Sequence, residues 1–96
     1  MAEEKNFETK IRKYLESKGA WVLKTWSNGV QRAGVPDLIV CYRGTFMGLE
    51  IKARNGRPSK LQEWNLEKIK EAGGIAWLLY PIDFEKFKDY VESMNG

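Results

Sequence analysis

The two most apolar segments of the chain constrain its fold most strongly. Residues 37–42 (DLIVCY) carry β-branched and apolar side chains on both faces, as expected of a central strand. Residues 75–80 (IAWLLY) are continuously apolar and predict a second buried strand, which Pro81 closes. Two such strands require a sheet with helices packed against its faces.

The remaining segments fit around these two strands. The turn at residues 43–45 leads into a strand over residues 46–53, and residues 21–26 predict another strand. Helical spacing of apolar residues predicts helices over residues 3–18, from a Ser59 cap to about Ala72, and after an Asp83 cap. A hairpin followed by a strand-helix-strand crossover gives the order αβββαβα and an α/β fold with a mixed sheet. Because 96 residues have room for one core, we expect a single domain spanning residues 1–96.

The residue types that are missing exclude several classes of enzyme. Histidine is absent, which removes Ser-His-Asp and Cys-His triads and histidine-ligated zinc sites. Cys41 is the only cysteine, so an intramolecular disulfide and a cysteine zinc cluster are also excluded. The first ten residues are charged and no apolar run approaches the roughly 18 residues of a membrane span. We therefore expect a cytoplasmic protein without a membrane partner.

The positive charge of the chain is concentrated in its middle. Sixteen Lys and Arg against thirteen Asp and Glu give a net charge of only +3. Residues 24–60 contain seven basic residues and two acids, so this segment carries +5 and the rest of the chain −2. Such a region suits a polyanion-binding face, because each basic side chain can displace condensed counterions from phosphate. A solvated loop region with chance asymmetry is the alternative.

The two acids in this basic segment are Asp37 and Glu50, and they point to a metal site. Side chains alternate along the strand GLEIKA, so Glu50 and Lys52 lie on one face about 6.6 Å apart. Burying two ions costs on the order of several kcal/mol each unless a further group compensates. A hairpin can bring Asp37 beside Glu50, and adjacent carboxylates are typical of sites for hard cations such as Mg²⁺ or Mn²⁺.

The spacing of these residues, PD followed after twelve residues by ExK, resembles the signature of the PD-(D/E)XK nuclease superfamily. GVPDLIV, followed by GLEIKARNGRPSKLQ and then AGG, is similar to the VRR-NUC family within it, over residues 8–80. The resemblance implies a restriction-endonuclease-like αβββαβα core with a mixed β-sheet flanked by helices. Because stand-alone members are mainly viral and bacterial, it also suggests a phage or prophage gene in a bacterial host.

The resemblance further implies a set of site residues and a cofactor. Lys52 would be the catalytic lysine, and Glu8 would be a further carboxylate that holds metal directly or through water. The residues assigned to catalysis are Asp37, Glu50, Lys52, Gln62 and Glu8, and those assigned to metal are Asp37, Glu50, Glu8 and Ile51 through its backbone carbonyl. The implied cofactor is Mg²⁺ or Mn²⁺, with no organic cofactor.

Each of these residues also has a purely structural interpretation. Asp37 could belong to a turn, and Glu50 with Lys52 could form an ion-pair face on an edge strand. Glu8 lies at the edge of the apolar stripe of its helix, where a solvated glutamate is ordinary. Ser59 and Gln62 fit a capping box, a role that does not exclude an active-site contact.

Basic and aromatic side chains around the proposed site suggest how a substrate is held. Arg32, Arg54, Arg57 and Lys60 flank the site in sequence, and we expect them to bind DNA phosphates, since nothing resembles a recognition helix for the major groove. Trp26 and Trp64 could face a partner subunit or stack on bases. The aromatic residues expected in the core are Trp21, Trp77, Phe84 and Phe87.

These features together predict a metal-dependent, structure-selective DNA endonuclease that binds branched or duplex DNA. Stand-alone VRR-NUC proteins resemble Holliday junction resolvases of DNA recombination and repair, so a junction is the expected substrate. A chain with one active site needs a second copy to cut two strands coherently, so we expect a homodimer. The alternatives are a nuclease of flaps or duplex ends and a non-catalytic DNA-binding module of the same fold.

Overall fold

The computed structural model describes residues 2–26 and 33–95 and confirms the α/β architecture. The predicted order of helices and strands is also observed, with a short 3-10 turn added before the last helix. In chain order the elements are α1 (Ala2–Ser17), β1 (Trp21–Lys24), β2 (Leu38–Tyr42), β3 (Thr45–Ile51), α2 (Lys60–Glu71), β4 (Ile75–Leu79), the 3-10 turn (Pro81–Asp83) and α3 (Phe84–Ser93).

The four strands form one mixed sheet in the order β1-β2-β3-β4. β1 pairs antiparallel with β2, and β2 pairs antiparallel with β3 through the turn at Arg43 and Gly44. β3 and β4 are parallel because α2 connects them as a crossover. The carboxyl ends of β3 and β4 therefore lie at the same end of the sheet.

Alternation along β3 separates the apolar core from the opposite face of the sheet. Met47, Leu49 and Ile51 are fully buried and pack with apolar residues of α1 and α3. Gly48 and Glu50 point to the other face, which α2 covers. A Cβ on Gly48 would lie 2.6 Å from Ile69 Cδ1, so glycine is what allows α2 to approach the sheet so closely.

Several details of the sequence-based fold are wrong. Trp21 is 59% exposed rather than part of the core, because β1 is an edge strand and its outer face is uncovered. β4 lies at the other edge of the sheet, so four of its five residues are only half-buried. Helical spacing predicts that Leu61, Asn65, Ile69 and Ala72 share one side of α2, but the buried residues are Asn65 and Leu66, and Leu61 is exposed. Trp77 and Phe84 do pack against the core, and Phe87 is fully buried within it.

The caps of the last two helices differ from each other. Ser59 begins α2 with a complete capping box, as its sequence predicts. Asp83 does not cap α3 through its side chain, because its carboxylate accepts a hydrogen bond from the Tyr80 backbone N–H at 2.9 Å instead. Asp83 thus stabilises the 3-10 turn that leads into α3. None of the described helices combines the length and the apolar character needed to cross a membrane.

Candidate active site

The hairpin of β2 and β3 brings Asp37 beside Glu50. Leu38 pairs with Leu49, so Asp37 and Glu50 occupy the next position of the same register. The Ile51 backbone N–H donates to Asp37 Oδ2 at 2.8 Å, which fixes that carboxylate against β3. The structure therefore brings together the two acids that the sequence singles out in the basic segment.

The backbone around Asp37 is held by residues that the sequence analysis did not single out. Thr25 donates from its backbone N–H to the Asp37 carbonyl at 2.9 Å and from Oγ1 to the Pro36 carbonyl at 2.8 Å. Gly34 has a φ of 81°, and a Cβ there would lie 2.6 Å from Leu61 Cγ on α2. Thr25 lies just beyond a strand with no motif around it, so only the pairing of β1 with β2 reveals its role.

Glu50 is a buried carboxylate with one satisfied and one unsatisfied oxygen. The residue is 1% exposed. Oε2 accepts a hydrogen bond from Gln62 Nε2 at 2.9 Å and lies 3.6 Å from Lys52 Nζ. Oε1 is buried and accepts no hydrogen bond from the described part of the chain. Such an orphaned oxygen costs on the order of 1–3 kcal/mol or more, so its presence calls for a ligand.

Burial also changes the protonation of Glu50. The pKa of the Glu50 carboxyl is raised from 4.5 to about 8, first because burial removes solvent and then because of the negative charge of Asp37, while Lys52 opposes the rise. Without a cation, Glu50 therefore keeps its proton at neutral pH.

The donor set fits a hard divalent cation. Glu50 Oε1 is available, Asp37 is adjacent, and carboxylate oxygens are the ligands that Mg²⁺ and Mn²⁺ prefer. Residues 2–26 and 33–95 contain no group of three or more His, Cys, Asp or Glu side chains placed to hold a metal ion. Among the described residues, Asp37 and Glu50 are therefore the pair of carboxylates that would hold a cation here.

Gln62 combines the two roles that the sequence leaves open. Its Oε1 accepts a hydrogen bond from the Ser59 backbone N–H at 2.8 Å, which completes the capping box of α2. Its Nε2 donates to Glu50 Oε2 at 2.9 Å. The start of α2 and the orientation of Glu50 are thus fixed by one side chain.

Glu8 is buried in α1 but is engaged elsewhere. Lys24 Nζ donates to Glu8 Oε2 at 2.5 Å, and Lys24 also lies over the ring of Trp26. Side chains alternate along β1, so Lys24 lies on the same face of the strand as Val22, and Leu23 lies on the other. Val22 packs against the core. The structure does not bring Glu8 into a three-carboxylate group with Asp37 and Glu50. Nothing in the sequence marked Lys24 as the partner of Glu8, because Lys24 is only one of the seven basic residues of segment 24–60.

The basic residues that follow the carboxyl end of β3 are exposed. Arg54, Arg57 and Lys60 all face solvent, and Arg54 lies near Glu3 of α1. Arg32 lies outside the described residues. The exposure of the three described side chains leaves them accessible to a polyanion.

Comparison with solved structures gives the class of protein that this fold represents. A structure described as a VRR_NUC domain has a TM-score of 0.73 at 23% sequence identity, covering 94% of this chain and 95% of the other. The Holliday junction resolvase Hjc of Archaeoglobus fulgidus has a TM-score of 0.58 at 22% identity, covering 79% of this chain and 67% of the other. The chain therefore has the fold of these two proteins.

A family model then identifies the family. The model described as archaeal Holliday junction resolvase (Hjc) matches residues 2–88. This chain belongs to the Hjc family of Holliday junction resolvases. No curated protein sequence gives a significant match to it.

Proposed function

We propose that this protein is a divalent-metal-dependent DNA endonuclease that cuts branched DNA as a homodimer. The observation that carries the proposal is the Glu50 carboxylate, which is buried with an unsatisfied Oε1 beside Asp37 and within 3.6 Å of the Lys52 ammonium. A folded protein keeps such an oxygen at a cost to its stability. A cation held by Asp37 and Glu50 would satisfy this oxygen and offset the cost.

Each residue of the site has a task in phosphodiester hydrolysis. A bound Mg²⁺ or Mn²⁺ supplies Lewis-acid chemistry and lowers the pKa of water. Asp37 and Glu50, with the Ile51 carbonyl, would hold the ion, and Gln62 orients Glu50 through Oε2 so that Oε1 stays free. Lys52 places a positive charge where negative charge develops on the phosphoryl oxygens.

The substrate class is supported by family membership and by charge. The matched family is one of Holliday junction resolvases, which act on branched DNA. The exposed Arg54, Arg57 and Lys60 lie just beyond β3 and would bind phosphates without reading bases. We include Arg32 in this set from its position in the sequence. We also propose that Glu8 is a carboxylate that acts on the metal through water.

An apolar surface supports the homodimer. Trp21, Leu23, Ile39, Cys41 and Phe46 share one face of β1, β2 and β3, because Trp21 pairs with Cys41, Cys41 with Phe46, and Leu23 with Ile39. Trp21 is 59% exposed and Phe46 is 44% exposed. We call this surface the β1–β3 face. Contiguous exposed apolar side chains mark an interaction site, and a two-fold axis would pair the face with itself.

The nuclease activity is tested on labelled junction, flap, linear duplex and single-stranded DNA in Mg²⁺, Mn²⁺ and EDTA. We expect junction nicking only with metal, and a loss of about 100-fold or more in Lys52→Ala because a charge at the reacting phosphate is removed. Lys68→Ala is the matched control, since Lys68 is an exposed lysine of α2 paired with Glu71.

The same experiment separates the alternatives. Cleavage that prefers flaps or duplex ends to junctions would assign the protein to those substrates. Junction binding without cleavage in either metal would make it a DNA-binding module and refute the endonuclease proposal. Equal cleavage by the parent protein and Lys52→Ala would remove Lys52 from the mechanism.

A further inference from the structure

A cavity of about 800 Å³ lies beside the proposed active site. It is formed by the loop after β3 and the 3-10 turn after β4, and its lining includes Arg54, Arg57, Pro81 and Ile82. The Lys52 backbone N–H donates to the Leu79 carbonyl at 3.0 Å, so the ends of the two strands are joined where the cavity begins. Lys52 does not line the cavity, but the cavity borders the end of the strand that leads into Lys52.

The wall of the cavity is tied to Lys52. Tyr80 donates from its hydroxyl to the Gly56 carbonyl at 2.9 Å, and the Gly56 N–H donates to the Ala53 carbonyl at 2.8 Å. A Cβ on Gly56 would lie 3.3 Å from Lys52 Cβ and Cδ, so this glycine packs closely on the lysine stem. A ligand held in the cavity is thus held at a fixed position relative to the Lys52 side chain.

The lining combines two kinds of chemistry. Arg54 and Arg57 offer guanidinium groups that suit phosphate. Ile82 is 89% exposed, the largest exposed fraction among the described large hydrophobic residues, and it lies next to Pro81 on the same cavity. A phosphate joined to a flat apolar ring is the ligand that satisfies both halves, and a nucleotide has that composition. In continuous duplex the bases are stacked and paired, so only an unpaired nucleotide can offer its ring.

We propose that this cavity is a subsite for one unpaired nucleotide next to the scissile phosphate. Arg54 and Arg57 bind its phosphate, and Ile82 and Pro81 contact its base. The subsite rests on the proposed DNA endonuclease function and deepens it, because it selects DNA in which a base near the cut is already free. Flaps and branch points with an unpaired base offer such a nucleotide, and continuous duplex does not.

Glu3 moderates this subsite. Its Oε2 lies 3.9 Å from Arg54 Nε and 3.4 Å from the Arg54 backbone nitrogen. The Arg54 side chain is 80% exposed, and exposed ion pairs of this kind contribute little to stability. A phosphate can therefore take the place of Glu3, but the carboxylate opposes its entry. Removing the charge of Glu3 should strengthen binding.

The test measures binding in EDTA, so that it does not depend on cleavage. The probes are a nicked duplex with a short single-stranded flap, carrying 2-aminopurine at the first unpaired position, and a continuous duplex of the same sequence. We expect Ile82→Ser to weaken flap binding about fivefold to tenfold and to abolish the 2-aminopurine response, while duplex binding stays within about twofold of the parent protein. Ile82→Leu should bind as the parent does, and Glu3→Gln should bind the flap more tightly.

The results of this test separate a failure of the subsite from a failure of the proposed endonuclease function. Ile82 is exposed, so its replacement by serine leaves the core intact, and a thermal melt checks this. Equal losses on flap and duplex, or no loss on either, would overturn the subsite, and so would weaker flap binding by Glu3→Gln. If the parent protein binds neither probe, the subsite is overturned, and binding and nicking of a four-way junction then decide the proposed endonuclease function separately. Binding and cleavage by the parent with no selective effect of Ile82→Ser refute the subsite alone.

Discussion

Among the described residues, Glu50 holds the one buried side-chain oxygen that accepts no hydrogen bond, and this oxygen is what points to a function. The carboxylate is buried beside Leu78 of β4, and only Oε2 is satisfied among the described contacts. The sequence showed the unusual residue type, since alternation places Glu50 and Lys52 on one face of a strand suited to burial. It could not show the unsatisfied Oε1, which depends on where α2 places Gln62.

The raised pKa of Glu50 gives a prediction for the metal-free protein. Between pH 4.5 and about 8 the folded state keeps the Glu50 proton and the unfolded state has lost it. The stability of the parent protein should therefore fall as pH rises through this window, relative to Glu50→Gln, by about 1.4 kcal/mol for each unit of pKa difference. Urea unfolding in EDTA from pH 4 to 9 measures the difference between the two proteins.

Metal should reverse this dependence. Because an ion displaces the proton, Mg²⁺ or Mn²⁺ should stabilise the parent protein more at pH 9 than at pH 6. It should leave Glu50→Gln unchanged at both. A difference between the two proteins that does not vary with pH, with or without metal, would contradict the assignment of Glu50 as a buried metal ligand.

At the scale of elements, the start of α2 is part of the proposed active site. Ser59 and Gln62 predict a capping box from sequence, and that motif is observed. The contact of Gln62 with Glu50 follows only from the crossover, which lays α2 over the face of β3 that carries Glu50. Local sequence thus determined where the helix begins, and packing determined what its first turn touches.

The two roles of Gln62 can be separated by substitution. Ser59→Ala removes the cap and should cost about 1 kcal/mol in the free energy of unfolding, with nicking nearly unchanged. Gln62→Glu keeps a capping box but replaces the amide donor to Glu50 with a carboxylate, and should lower nicking by about tenfold or more. Urea unfolding and junction nicking measure both. If nicking falls in proportion to stability in the two variants, Gln62 acts only as a cap.

At the scale of the whole molecule, the proposed active site and the β1–β3 face share one side of the sheet. Asp37 and Glu50 lie at one end of the β2–β3 hairpin, and Cys41 and Phe46 lie at the other. α2 covers the β3–β4 half of this side and leaves the β1–β2 half open. A two-fold axis through the open half would relate two active sites on one assembly, as cutting two strands requires.

Oligomeric state tests this arrangement. Trp21→Glu and Phe46→Glu place a charge in the centre of the β1–β3 face and should convert a dimer to a monomer in sedimentation at micromolar concentration. Ile82→Glu is the control, because Ile82 is also an exposed apolar residue but follows the carboxyl end of β4, outside the β1–β3 face. A short bismaleimide should also link Cys41 to Cys41 of a second copy in the parent protein.

Two outcomes would contradict the dimer. A parent protein that sediments as a monomer and still cuts both strands of a junction would remove the need for a second copy. A dimer that survives both Trp21→Glu and Phe46→Glu would have its interface elsewhere.

The sequence by itself determined the order of elements, the αβββαβα fold and the set of chemically unusual residues. These follow from local patterns, since hydrophobic period, capping residues and the PD and ExK spacing are read along the chain. The tertiary structure decided the position of β4 at the sheet edge, the exposure of Trp21, the Glu8 pairing with Lys24 and the cavity beside Lys52. Each of these depends on contacts between residues far apart in sequence, and a pattern along one chain does not specify which surfaces its neighbours will cover.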